Sequence, residues 1–256
     1  MPMLPDFSAS PLLLAAAFLA GVIDSIAGGG GLITLPALLS AGIPPHLALG
    51  TNKLAGTFGT FSAARVYVAK GLFKPALWRC AIIATFIGAL LGALGTRLFS
   101  VESLNKILPL LIIAAGVYAL WPKHPQAAAA AAQRDPGKVA SVTVGGVLGF
   151  YDGFSGPGAG VFWTTLAMKV FKADLVSASG IARAMNFVSN IVALLTFMML
   201  SSVNYTLGLS MGLAVMTGAH LGAHSAIRYG RSLIRPIFIA VVLALAGRLV
   251  WLEWLV

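Results

Sequence analysis

Apolar residues gather in long runs along this chain instead of alternating with polar ones. Ala81–Thr96, Ile107–Trp121, Val188–Leu200 with its preceding turns, Leu207–Ala226 and Ile237–Val256 reach or approach the ~20 apolar residues that a membrane-spanning helix needs. Two further apolar stretches are interrupted. One breaks at Gly28-Gly29-Gly30-Gly31, just after Asp24-Ser25-Ile26-Ala27. The other breaks at Gly156-Pro157-Gly158, just after Asp152-Gly153-Phe154-Ser155. At 1.5 Å per residue, Leu12–Ala27 makes a helix of about 24 Å and Leu32–Ala41 one of about 15 Å. Each is shorter than the ~30 Å hydrocarbon core. A broken segment is therefore either one interrupted span or a re-entrant pair that returns to its own side. Pro36 and Pro157 are expected to add breaks of their own.

The pattern repeats. Beyond the breaks, Leu49–Ala55 falls opposite Ser179–Met185, and Gly88–Leu94 opposite Gly218–His224. The expected fold is an all-α, polytopic membrane protein of about eight hydrophobic segments. It has two homologous halves, each with a broken segment and three transmembrane helices. Residues 1–121 form the first repeat, 122–138 a Pro-, Lys- and Ala-rich linker, and 139–256 the second repeat. Composition agrees, because 59% of the residues are hydrophobic and 9% charged, against about 25% charged in soluble domains. The net charge of +10 is ascribed to cytoplasmic loops, where Lys and Arg set orientation, and not to a nucleic acid. The single cysteine, Cys80, excludes an internal disulfide. Met1–Pro11 has no basic residue ahead of the first apolar run, so that run is expected to be mature structure and not a cleaved leader.

Loop charges choose between the two topologies. If each broken segment crosses the membrane, the basic residues split almost evenly. If each returns to its own side, Lys70, Lys74, Arg79, Lys123, Arg134, Lys138, Lys169, Lys172, Arg228, Arg231 and Arg235 share one face. Only Arg97, Lys106 and Arg248 then remain opposite. The positive-inside rule favours the second arrangement. It gives three full crossings per half, makes the repeats inverted as in many transporters, and puts both termini outside.

Paired, glycine-interrupted segments in corresponding positions are the best sequence pointer to a transporter's binding site. Irregular backbone at membrane depth is tolerated only where it is buried in protein or lines a cavity. Gly28, Gly29, Gly30 and Gly31, with Gly156 and Gly158, let a solute approach the backbone without obstruction. Helices restarting near Leu32 and Val161 point their positive ends into the gap, which suits an anion. Close helix packing through small residues is the structural alternative.

Asp24 and Asp152 occupy matching positions before the breaks. They either couple protons or cap the N–H groups freed at the following turn. Lys53 and Arg183 are matched cations beside Asn52 and Asn186. They bind or gate the anion, or else pair with Asp24 and Asp152 or reach toward the interface. Thr51 and Asn190 add neutral donors, or interhelical glue. His220, His224 and Arg228 share one helical face, but the repeat has Leu90 and Leu94 where the histidines stand. A proton relay and an interfacial role both remain open for them. A metal site is weakly indicated, because no third ligand is near in sequence.

Gly21-Val22-Ile23-Asp24-Ser25-Ile26-Ala27 and its four glycines, with Leu35-Pro36 and Leu49-Gly50-Thr51-Asn52-Lys53, resemble the first half of the TauE/SafE family of membrane permeases. Gly149-Phe150-Tyr151-Asp152-Gly153-Phe154-Ser155-Gly156-Pro157-Gly158 resembles its second-half signature. The similarity covers essentially the whole chain. It implies export of small sulfur-containing anions such as sulfite and sulfoacetate. The expected protein is thus a multi-pass permease of a bacterial inner membrane type. Its partners are a small anion and the bilayer, with a homo-oligomer possible, and it needs no cofactor, metal or nucleic acid. An anion channel is the nearest alternative. A membrane-embedded enzyme would need Asp24 and Asp152 as acid and base, yet no nucleophile–His pair accompanies them. A structural subunit would leave the duplicated breaks unexplained.

Overall fold

The computed structural model describes residues 11–120 and 137–229, and all its elements there are helical. The broken segments appear as pairs of short helices. Helix α1, Pro11–Ala27, stops where the glycines begin, and α2, Gly31–Ser40, restarts after them. Likewise α6, Lys138–Phe154, gives way to α7, Ala159–Lys169. Long helices follow each pair. These are α3, Pro45–Ala69, then α4, Arg79–Gly95, prolonged by a 3-10 turn over Thr96–Leu98, and α5, Val101–Leu120. After α7 come α8, Leu175–Met199, and α9, Tyr205–Tyr229. The apolar run Ile237–Val256, most of the 122–138 linker and the side chain of Arg228 lie outside the described residues.

Four of these helices are long and apolar enough to cross a membrane: Arg79–Leu98, Val101–Ala119, Leu175–Met199 and Tyr205–Ile227. The chain is a multi-pass helical membrane protein. Helix α3 is as long as α8 but more polar, and five of its polar residues point inward. Thr51, Asn52, Lys53, Thr57 and Thr60 are all buried, while Phe61 and Val68 face outward.

Glycines set the closest helix contacts. Helix α4 packs on α6 and α9 on α1. A Cβ on Gly88 would strike the Gly146 carbonyl, and one on Gly92 the Phe150 carbonyl. Between α9 and α1, a Cβ on Gly218 would strike the Phe18 carbonyl, and one on Gly222 the Ser25 hydroxyl and Val22 carbonyl. Gly88/Gly92 and Gly218/Gly222 are therefore the small-residue seams through which membrane helices approach.

Helix directions follow from the same contacts. Helix α9 runs parallel to α3: Gly208 meets Leu54, Gly212 meets Phe58, and Val215 meets Gly59. Helix α8 runs antiparallel to α3, with Asn190 beside Gly56, Phe187 on Phe61 and Gly180 against Tyr67. The loop after α3 and the loop before α8 therefore lie together. Trp78 and Phe171 pack edge to face at 4.9 Å within one buried cluster that also holds Phe73 and Ala173.

One expectation needs correcting. Pro36 does not break its helix but lies inside α2, as Pro109 lies inside α5. A proline forfeits one backbone hydrogen bond, and neighbouring groups in a packed bundle compensate for that loss. Pro157 does sit in its break.

Candidate functional site

The two breaks meet at the centre of the molecule. A Cβ on Gly31 would come 3.4 Å from the Cα of Pro157, and one on Gly28 would collide with Gly160. Gly28 and Gly156, matched positions in the two halves, both have φ +85°, a left-handed conformation that side chains other than glycine disfavour. At Gly156 a Cβ would also lie 2.6 Å from Asp152 Oδ1 and 2.8 Å from Lys53 Nζ. The freed backbone is tied down by tyrosines. Tyr67 donates to the Ser25 carbonyl at 3.0 Å, and Tyr151 to the Pro157 carbonyl at 2.6 Å.

Charges in the breaks are paired across the halves. Lys53 Nζ donates to Asp152 Oδ1 at 2.6 Å, to the Asp152 carbonyl, and to Asn190 Oδ1 at 3.1 Å. Asp152 Oδ2 accepts from Ser189 Oγ. Reciprocally, an Arg183 terminal nitrogen, Nη1, donates to Asp24 Oδ2 and to the Asp24 carbonyl, each at 2.6 Å. Asp24 Oδ1 accepts from the Gly30 N–H at 2.9 Å, so this carboxylate also caps the restarting α2. Asp24 thus combines capping with ion pairing, whereas Asp152 pairs with Lys53 and accepts from Ser189. Side-chain exposure is 1% for Lys53 and Arg183, 4% for Asp152 and 15% for Asp24. At such depth a carboxylate is tolerated because each oxygen has a donor.

A cavity of about 40 Å³ opens between the breaks, enough for roughly three water-sized groups at 10–15 Å³ each. Gly30, Gly31, Gly158 and Ala159, where α2 and α7 begin, line it together with Gly28, Gly156, Asp24, Asp152, Asn52, Lys53 and Asn186. Each helix start contributes about +0.5 of a charge. The ends of α1 and α6 bring about −0.5 each to the same breaks, and the aspartates pair with Lys53 and Arg183.

Two of the residues expected to bind stand off the wall. Gly29 is buried beside the cavity but does not line it. Arg183 lies behind Gly28 and Gly160, and a Cβ on either would meet its second terminal nitrogen, Nη2. Among the described residues its buried Nε and Nη2 have no hydrogen-bond partner, nor has Asn186 Oδ1. Thr51 is interhelical glue: its hydroxyl accepts from the Asn204 N–H at 3.0 Å. Thr34, whose hydroxyl donates to Asn52 Oδ1, lines the cavity with Gly56, Thr60 and Gly160 and escaped notice in the sequence. Spacing alone would have found two of these. Lys53, Gly56 and Thr60 share one helical face at i, i+3 and i+7.

His220 and His224 do not line this cavity. They are exposed on α9, with ring centres 4.6 Å apart, beside the end of α3.

Comparison with known proteins finds membrane transporters. A probable membrane transporter protein, YfcA, of Escherichia coli (strain K12) is 37% identical over 250 residues, covering 96% of this chain and 92% of the relative. A probable membrane transporter protein, ORF9, of a Sinorhizobium species is 39% identical over 237 residues, covering 93% of this chain and 90% of the relative. A third, from Haemophilus influenzae, is 36% identical over 241 residues, with 94% of both chains covered. No solved structure matches the chain significantly. The family model described as Sulfite exporter TauE/SafE matches residues 13–249, and the chain belongs to that family.

Proposed function

We propose that the chain is a secondary transporter of the cell membrane that carries a small oxyanion, sulfite or an organosulfonate, through the cavity between the breaks. The observation that carries this reading is Arg183. A guanidinium holds five donors, yet among the described residues Nη1 alone has a protein partner, and the buried Nε and Nη2 have none. Buried unsatisfied groups of this kind ask for a water or ion, and a planar fork of donors suits a multi-oxygen anion. Family membership supports the sulfur chemistry, and the cavity size supports a compact ion. An organosulfonate would require the breaks to part further.

The helix directions support an inverted duplication with re-entrant breaks. If each broken segment returned to its own side, α3 and α9 would run the same way and α8 the opposite way. A single crossing per break would reverse both relations. Two such halves can rock against each other around the site. An inside-negative potential favours anion exit by about 2.3 kcal/mol per charge per 100 mV, so proton coupling is not obligatory.

Counterflow of radiolabelled sulfite in proteoliposomes tests the reading, with sulfoacetate, sulfate, thiosulfate and a carboxylate as competitors. Saturable counterflow, inhibited by one class and abolished by Arg183→Ala, is the expected result. Flux without saturation or counterflow would indicate a channel. No flux from folded protein would detach the site from sulfur anions.

A further inference from the structure

We infer that the groove between α3 and α9 binds the headgroup of an anionic phospholipid. The groove encloses about 750 Å³, a size typical of sites for small organic molecules. Its wall is divided in character. Phe61, Met216 and Leu221 give it an apolar flank, while Arg65 and Lys70, with the imidazoles of His220 and His224, give it a basic one, and none of its lining residues is acidic. All four basic side chains are exposed, and among the described residues none of them forms an ion pair. His224 Nδ1 donates to the His220 carbonyl at 2.9 Å, so its Nε2 is the nitrogen left for a ligand.

The helix pair α8 and α4 gives a comparison for this surface. The register that aligns Leu49–Ala55 with Ser179–Met185, and Gly88–Leu94 with Gly218–His224, continues through both helix pairs. It sets Arg65 against Leu195, Lys70 against Leu200, His220 against Leu90, and His224 against Leu94. These leucines sit on or at the end of α8 and α4, which pack together as α3 and α9 do. Leu90, Leu94 and Leu195 are exposed like their basic counterparts. Every basic position of one groove is therefore leucine in the other. Cations at a lipid-facing boundary are costly unless they meet water or an anion. Here they meet an apolar flank that can receive an acyl chain and carry no counter-ion of their own. A phosphate with attached chains satisfies both flanks, whereas a free anion leaves the apolar one unfilled. The inference uses the repeat register but is independent of the transported substrate.

The test is lipid retention by the full chain, purified and incubated with an equimolar mixture of phosphatidylglycerol and phosphatidylcholine, then weighed intact by native mass spectrometry. One variant combines Arg65→Leu, Lys70→Leu, His220→Leu and His224→Leu, which copies the opposite groove at exposed positions. A milder variant carries Arg65→Gln and Lys70→Gln only. Wild type is expected to prefer phosphatidylglycerol by about tenfold, as clustered basic residues at a membrane surface do. The leucine variant should lose that preference and the glutamine variant part of it. Equal preference in wild type and both variants would overturn the proposal. So would a wild type that retains neither lipid but forms a dimer that the leucine variant lacks, since a second copy would then occupy the groove.

Discussion

Lys53 and Arg183 combine two duties that a substitution can separate. Each is a buried cation whose carboxylate partner comes from the other half. Removing one member of such a pair strands a buried charge and costs about 3–5 kcal/mol, whereas replacing both members is often neutral. Lys53→Met should therefore lower thermal stability in detergent markedly, and Lys53→Met combined with Asp152→Asn should restore most of it. Sulfite counterflow should stay absent in both. Recovery of flux along with stability would mean that Lys53 serves folding alone. The matched chemistry of Asp24, Asp152, Lys53 and Arg183 was legible in the residues themselves. Pairing with the aspartates was one of the readings left open, but which cation meets which aspartate was not legible, because the hydrogen-bonded residues are 99 and 159 positions apart.

At the scale of elements, a break is defined by what it excludes. Gly156 and Gly42 both have positive φ, but a Cβ on Gly156 would crowd Asp152 and Lys53, whereas Gly42 faces open space. Gly42→Ala should cost only the strain of a left-handed backbone, about 1–2 kcal/mol. Gly156→Ala adds displacement of the Lys53–Asp152 pair, and the protein should elute from size exclusion as aggregate while Gly42→Ala elutes as wild type. Helix limits were read closely from local pattern: Leu12–Ala27 against the observed Pro11–Ala27, and Leu32–Ala41 against Gly31–Ser40. Such limits depend on glycine content and apolar run length, which are local properties. Pro36 misled the reading because a proline's effect depends on whether packed neighbours hold the helix together.

For the whole molecule the decisive quantity is which loops share a face. In a Cys80→Ser background, Gly71→Cys lies in the loop after α3 and Lys172→Cys in the loop before α8. With re-entrant breaks both should react with an impermeant maleimide from the same side of sealed vesicles, and Ser201→Cys, between α8 and α9, from the other. Labelling of positions 71 and 172 from opposite sides would leave only the single-crossing arrangement. The amino-acid sequence by itself determined that the chain lives in lipid and where its helices break, at the glycines that follow Asp24 and Asp152. These follow from apolar run length, glycine and proline chemistry, and residue identity, all carried within a few turns of chain. Tertiary structure decided that Lys53 serves Asp152 and Arg183 serves Asp24, that Arg183 stands behind the glycines with donors to spare, and that four scattered basic residues line one groove. Those are relations between distant segments. They arise only when helices pack, because desolvation makes each buried charge seek whichever partner the fold brings near.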